Sequence, residues 1–152
     1  MKIIPPLKEK GEKEPLPFLK REIIYAPFYL FEVEYTGGKK LYFGVDAVKG
    51  KTSTIENQII DIAEDFKGSP GIRKIEREKA EEIAMLEARF PVGIFFKKRL
   101  EKLRYLDLLL YPFIVYYKKG KKGYDIDVYD AITGKKENLF AKEIIVEILL
   151  SG

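Results

Sequence analysis

From Leu30 to Tyr35 polar and apolar positions alternate strictly, with Leu30, Glu32 and Glu34 on one side and Phe31, Val33 and Tyr35 on the other. A period of two marks a half-buried strand. The segment "TGGKK" then supplies a turn, and "LYFGVDAV" returns as the partner strand. Pro27 cannot donate to a ladder, so it is expected at an edge, at a bulge, or at a bend between two shorter strands. Past Lys51 the period changes. Ser53 followed by Glu56 reads as a capping box, and Ile55, Ile59, Ile62, Ala63 and Phe66 fall on one helical face that Gly68 would end. The spacing predicts a second helix over Ile72 to Phe90, with Ile72, Ile75, Ile83, Leu86 and Phe90 on one stripe and Pro91 and Gly93 breaking it. Phe96, Leu100 and Leu103 have helical spacing and suggest a third, short helix. "DLLLYPFIVYY" and "YDIDVYDAI" form a second strand pair, and "NLFAKEIIVEILL" a closing helix capped by Asn138. Met1 to Pro17 carries four prolines among alternating charges and no hydrophobic period, which reads as a flexible, extended arm.

The two strand pairs are written in the same words. Pro27-Phe28 matches Pro112-Phe113, 85 residues apart, and Glu22-Ile23-Ile24 matches Asp107-Leu108-Leu109 at the same separation. Beyond the turn, Asp46-Ala47-Val48-Lys49-Gly50-Lys51 matches Asp130-Ala131-Ile132-Thr133-Gly134-Lys135, now 84 apart. The length change falls at the hairpin turn, where it is cheapest. Glu56-Asn57 and Glu137-Asn138 then open the following helices alike. The expected fold is α+β: two ββα-type repeats (22–67 and 107–150) forming antiparallel sheet, with helices packed mainly on one side. Residues 18–152 would form a single domain behind the arm of residues 1–17.

Asp at a strand end accepts hydrogen bonds from the backbone of its own turn, and Gly four positions later takes the left-handed conformation. Asp46, Gly50, Asp130 and Gly134 are therefore read as structural turn residues. "YDIDVYDAITGK" also resembles the strand-turn signature of PepSY-type domains, whose hairpin ends in a Val-Asp-Ala-x-Thr-Gly-like turn, and "YFGVDAVKGK" is similar to it as a second copy. That resemblance implies an α+β module associated with binding and, in some members, with inhibiting or chaperoning peptidases.

Composition narrows the chemistry. Cysteine, histidine and tryptophan are absent from the 152 residues, and 34% are charged. Thiolate and imidazole metal sites, disulfides, and triads of the Ser-His-Asp or Cys-His kind are excluded. With serine confined to Ser53, Ser69 and Ser151, the chain is expected not to be an enzyme and to need no cofactor. Wealth in Lys and Glu with a single Gln58 is a profile that hyperthermophile proteins tend to show. No run of 18 apolar residues suggests a membrane span, and the N-terminus lacks a signal peptide's apolar middle, so a cytoplasmic location is expected.

Three groups of residues invite a functional reading. Lys118, Lys119, Lys121 and Lys122, flanked by Tyr117 and Tyr124, would suit single-stranded nucleic acid through phosphate contact and stacking, with Lys97, Lys98, Arg99, Lys102 and Arg104 adding to the charge. The alternative is a solvated hairpin tip whose charge discourages edge pairing. Asp125, Asp127 and Asp130 could be imagined as metal ligands, but cross-strand lysine pairs explain them without an ion, as they would Glu32 and Glu34. Twenty Tyr and Phe residues exceed the needs of one sheet face. Either both faces are covered, or one is left as an interaction surface. The leading expectation is a non-catalytic binding module whose partner is a protein or a second copy. Nucleic-acid binding is the first alternative and a small molecule held between the repeats the second.

Overall fold

Where apolar alternation is longest, extended structure wins. In a computed structural model that describes residues 1–89 and 99–151, the chain runs β1 (Lys2–Ile3), β2 (Lys20–Tyr35), β3 (Lys40–Asp46), β4 (Thr52–Ile55), α1 (Asn57–Asp61), β5 (Glu64–Asp65), α2 (Arg77–Arg89), β6 (Leu100–Gly120), β7 (Gly123–Asp130) and α3 (Leu139–Ser151). The strands form a seven-stranded sheet in the order β4-β3-β2-β6-β1-β5, with β7 paired to β6. Pairing is antiparallel for β2 with β3, β3 with β4, β6 with β7 and β1 with β5, and parallel for β1 with β6. The class is mixed α+β, with a mainly antiparallel sheet. Among the described residues no helix is long and apolar enough to cross a membrane.

The chain divides into two compact units, one of Met1–Ile4 with Pro27–Leu110, the other of Pro5–Ala26 with the residues from Tyr111 onward. The division falls beside the Pro-Phe pairs. Pro27 and Pro112 lie inside the long strands β2 and β6, not between shorter ones.

In the first unit β2 and β3 are in register from Phe28↔Asp46 to Glu34↔Lys40. Phe31, Val33 and Tyr35 are fully buried, as the alternation requires. Helix α2 covers this face, and it does so with alanines: Ala80 and Ala84 pack with Tyr29, Phe31, Val45 and Ala47, and Ala88 with Val33, Tyr35 and Phe43. The aromatic side chains of the sheet fill the interface, so the helix offers small ones and comes close. The isoleucine-leucine stripe expected for this helix is therefore displaced. Leu86 is 62% exposed, Ile75 and Ile83 pack at the cluster's margin, and Phe90 lies outside the described residues.

Two other expectations give way to sheet formation. The helix predicted from Ser53 starts only at Asn57 and ends at Asp61, because Thr52–Ile55 instead pairs with Tyr42–Val45 along β3. A strand edge offering ladder bonds to β-branched Thr52, Thr54 and Ile55 outweighs the capping box, and Glu56 makes no side-chain cap bond. Leu100 and Leu103, expected in a short helix, belong to β6, which the Thr36 N–H to Arg99 carbonyl bond of 2.9 Å helps hold extended. Phe96 falls outside the described residues.

In the second unit β6 and β7 are in register from Phe113↔Asp130 to Gly120↔Gly123. Ile114, Tyr116, Tyr129 and Ala131 form a buried cluster with Phe18 and Ile23 against it. The closing helix α3 begins where expected: Asn138 Oδ1 accepts from the N–H groups of Phe140 and Ala141, at 3.1 and 3.3 Å, and Ala141, Ile144 and Ile145 are its buried residues. Most aromatics of both hairpins are buried, Tyr29, Phe31, Tyr35, Phe43, Tyr111, Phe113, Tyr116 and Tyr129 among them, whereas Tyr124 is 83% exposed.

Candidate functional site

The Asp-Ala-x-x-Gly-Lys segments form one turn built twice. Asp46 N–H donates to Lys51 O at 2.9 Å and Gly50 N–H to Asp46 O at 3.1 Å; Asp130 N–H donates to Lys135 O at 2.9 Å and Gly134 N–H to Asp130 O at 2.7 Å. Gly50 and Gly134 sit at φ of 79° and 76°, the left-handed region that glycine enters without strain. The carboxylates close the turns. Asp46, wholly buried, accepts from Val48, Lys49, Gly50 and Lys51, and Asp130 from Ile132, Thr133 and the Tyr111 hydroxyl.

The alanine after each aspartate does something the sequence reading did not foresee. Ala47 N–H donates to Pro27 O at 2.9 Å, and Ala131 N–H to Pro112 O at 3.2 Å. In an antiparallel pair of this kind the opposite residue returns a bond, but proline has no N–H to return. The alanine carbonyl is left open, and in both turns two consecutive N–H groups of a passing segment take it. Lys74 and Ile75 both donate to Ala47 O at 2.8 Å, and Leu7 and Lys8 donate to Ala131 O at 3.0 and 2.7 Å. Tyrosines on the same strands add a second grip: Tyr29 donates to Ile75 O at 2.7 Å, and Tyr116 accepts the Gly11 N–H at 3.0 Å.

Around the second turn the grip extends over residues 7–13, the middle of the expected arm. Glu12 N–H donates to Gly134 O at 2.6 Å, and the Tyr129 hydroxyl donates to Lys13 O at 2.5 Å. Burial, then the nearby Asp127 charge, raises the Tyr129 pKa, which keeps this donor protonated. Gly11 lies on the Tyr129 ring so closely that a Cβ there would stand 2.5 Å from a ring carbon. Leu7, Lys8, Glu9, Lys10, Glu12 and Lys13 are exposed. The groove thus reads main chain and one glycine. Nearer the terminus, Lys2–Ile3 forms β1 and Ile4, fully buried, donates to Leu110 O at 3.0 Å.

The lysine tip is split in two. Lys121 and Lys122 form the turn, and Lys119 and Tyr124 beside it are exposed. Lys118 is instead paired with Asp127 at 3.0 Å, and Tyr117 bonds Glu22, its pKa pushed up to about 12 by burial first and then by that carboxylate. Lysines pair with two of the three aspartates: Lys136 also approaches Asp127 at 3.6 Å, and Lys142 pairs with Asp125 at 2.8 Å. Glu32 pairs with Arg104 at 3.3 Å. No group of three or more carboxylates able to hold a metal occurs among the described residues. Arg99 stands at the start of the described C-terminal part, while Lys97 and Lys98 lie outside it.

The first unit also carries an open cavity of about 650 Å³ beside the start of α2, lined by Tyr29, Arg73, Ile75, Arg77 and Tyr105 with Glu76 and Glu78. Arg77 lies over the Tyr105 ring at 5.1 Å, and its two arginines are matched by two glutamates.

The signal for these backbone contacts was present in the sequence as the paired Pro-Phe and Asp-Ala words. Their separation showed repetition, but which carbonyl each proline leaves open depends on register. Comparison with known proteins found no family model, no curated protein and no solved structure that matches this chain.

Proposed function

We propose that this chain is a non-catalytic binding module that captures peptide segments through their main chain. One observation carries the reading: at both Asp-Ala turns a proline leaves the alanine carbonyl without its cross-strand donor, and a segment from elsewhere in the chain occupies it with two consecutive N–H groups. A buried acceptor cannot be left empty without a penalty of about 1–3 kcal/mol, so the turn demands a segment. Backbone recognition at a sheet margin is an established way of gripping peptides of varied sequence. The reading takes the chain as a tandem duplication of a PepSY-like unit, since turn, proline and left-handed glycine recur together.

The test is a display library of random peptides panned against the whole protein carrying Gly11→Val, whose side chain would meet the Tyr129 ring and free the site of residues 7–13, with binders mapped by amide chemical shifts. Binders that shift Ala131, Gly134, Tyr116 and Tyr129 support the reading. A library without binders rejects it.

A second reading rests on the exposed hairpin tip, where Lys119, Lys121, Lys122 and Tyr124 face solvent together. Phosphates and a stacked base would suit it. Fluorescence anisotropy of labelled single-stranded DNA and RNA across a salt series tests this: affinity falling steeply with salt supports it, and no binding at low salt removes it.

A further inference from the structure

We infer that the arm is a replaceable ligand, so that the site it fills accepts in its place a bent, glycine-centred peptide from another chain. This rests on the binding-module reading and adds the chemistry of the partner and the means of control. Residues 7–13 are held by donors and acceptors of their backbone: N–H groups of Leu7 and Lys8 on Ala131 O, of Gly11 on the Tyr116 hydroxyl, of Glu12 on Gly134 O, and the carbonyl of Lys13 on the Tyr129 hydroxyl. None of these bonds uses a side chain of the arm. A partner therefore needs N–H groups at the positions of residues 7, 8, 11 and 12, which excludes proline there. It also needs glycine where Gly11 meets the Tyr129 ring, because any Cβ at that position would be 2.5 Å from a ring carbon. Other positions can vary, since the arm's own side chains there are exposed.

Tethering makes the arm a strong competitor. A segment joined to its site by a short linker acts at an effective concentration of roughly millimolar, so a free peptide with the same bonds is shut out until the arm is dislodged. The arm in this view is both the template of the partner and the lock on the site.

The test uses the whole chain with Gly11→Val, which drives a branched side chain into the ring and evicts the arm. The probe is a fluorescein-labelled peptide of residues 5–17, with a control peptide bearing the same Gly11→Val change. The variant is expected to bind the unchanged peptide at least tenfold more tightly than the parent protein does, and the control peptide is expected to bind neither. Equal binding to parent and variant, or no binding to a variant that keeps the parent's circular dichroism and cooperative melt, overturns the inference. Should the variant not fold, hydrogen exchange of the parent decides. The Leu7, Lys8, Gly11 and Glu12 amides are expected to exchange together through an opening that leaves β6 and β7 protected, and exchange only with global unfolding overturns the inference. If library peptides bind the groove yet the arm peptide fails on the variant, arm exchange falls and the binding-module reading stands. An arm peptide that binds while the library yields nothing leaves an internal strap without the wider function.

Discussion

The Gly50 N–H lies 3.1 Å from the Asp46 carbonyl and 3.3 Å from the carboxylate of the same residue, so one amide seals the turn from both ends of Asp46. Gly134 N–H makes the backbone half of this arrangement with Asp130, at 2.7 Å, while the Asp130 carboxylate serves Ile132, Thr133 and the Tyr111 hydroxyl. The turns share a plan, and their energetics differ with burial.

Asp46→Ala strips a fully buried acceptor from four N–H groups. A loss of about 3 kcal/mol is expected, roughly a 10 °C fall in Tm for a chain of this size. Asp130→Ala removes a less buried carboxylate and should destabilise by about half as much. Thermal melts of both variants check the order; a larger fall for Asp130→Ala would show that the ranking by burial is wrong.

Glycine substitution separates backbone conformation from crowding. Gly134→Ala meets nothing nearer than 3.6 Å, so it should cost about 1 kcal/mol for the left-handed backbone alone. Gly50→Ala adds a Cβ 2.8 Å from Ile75 Cδ1 and should be the worse by a further ~1–2 kcal/mol. Urea midpoints measured side by side decide it.

Pro112→Ala supplies the N–H that Pro112 lacks, aimed at Ala131 O. That amide competes with those of Leu7 and Lys8, so their protection against hydrogen exchange should fall several-fold while Ile114 and Val128 stay protected. Unchanged protection at Leu7 and Lys8 would mean the open carbonyl does not depend on the proline.

Tyr117 makes the protein sensitive to alkali. Its pKa in the folded chain, about 12, lies above the usual value of 10.0, so the folded state holds the phenol proton over the window where the unfolded chain gives it up. The stabilisation is whole below pH 10 and disappears as pH climbs from about 10 towards 12. Tyr117→Phe loses the Glu22 bond, about 1 kcal/mol, in the range below pH 10 where the parent makes it, and should show a shallower decline between pH 10 and 12 than the parent. Parallel declines in urea midpoint would rule out this source.

The amino-acid order by itself determined the two hairpins, the turn between Asp and Gly, and the capped closing helix, because each rests on local chemistry: alternation, left-handed glycine, and an Asn138 side chain within reach of its own helix. It also showed repetition, down to the proline. Only the tertiary structure decided what neighbours impose. Ser53 and Thr54 became strand because β3 had an open edge, and Leu86 faced outward because aromatic residues of the sheet left room only for Ala80, Ala84 and Ala88. The middle of the arm settled on Tyr116, Tyr129 and the Ala131 carbonyl, all over a hundred places further along the chain, contacts that no local pattern announces. A pattern of residues can announce a strand, but which of its hydrogen-bonding groups stays open is known only once its partner lies beside it.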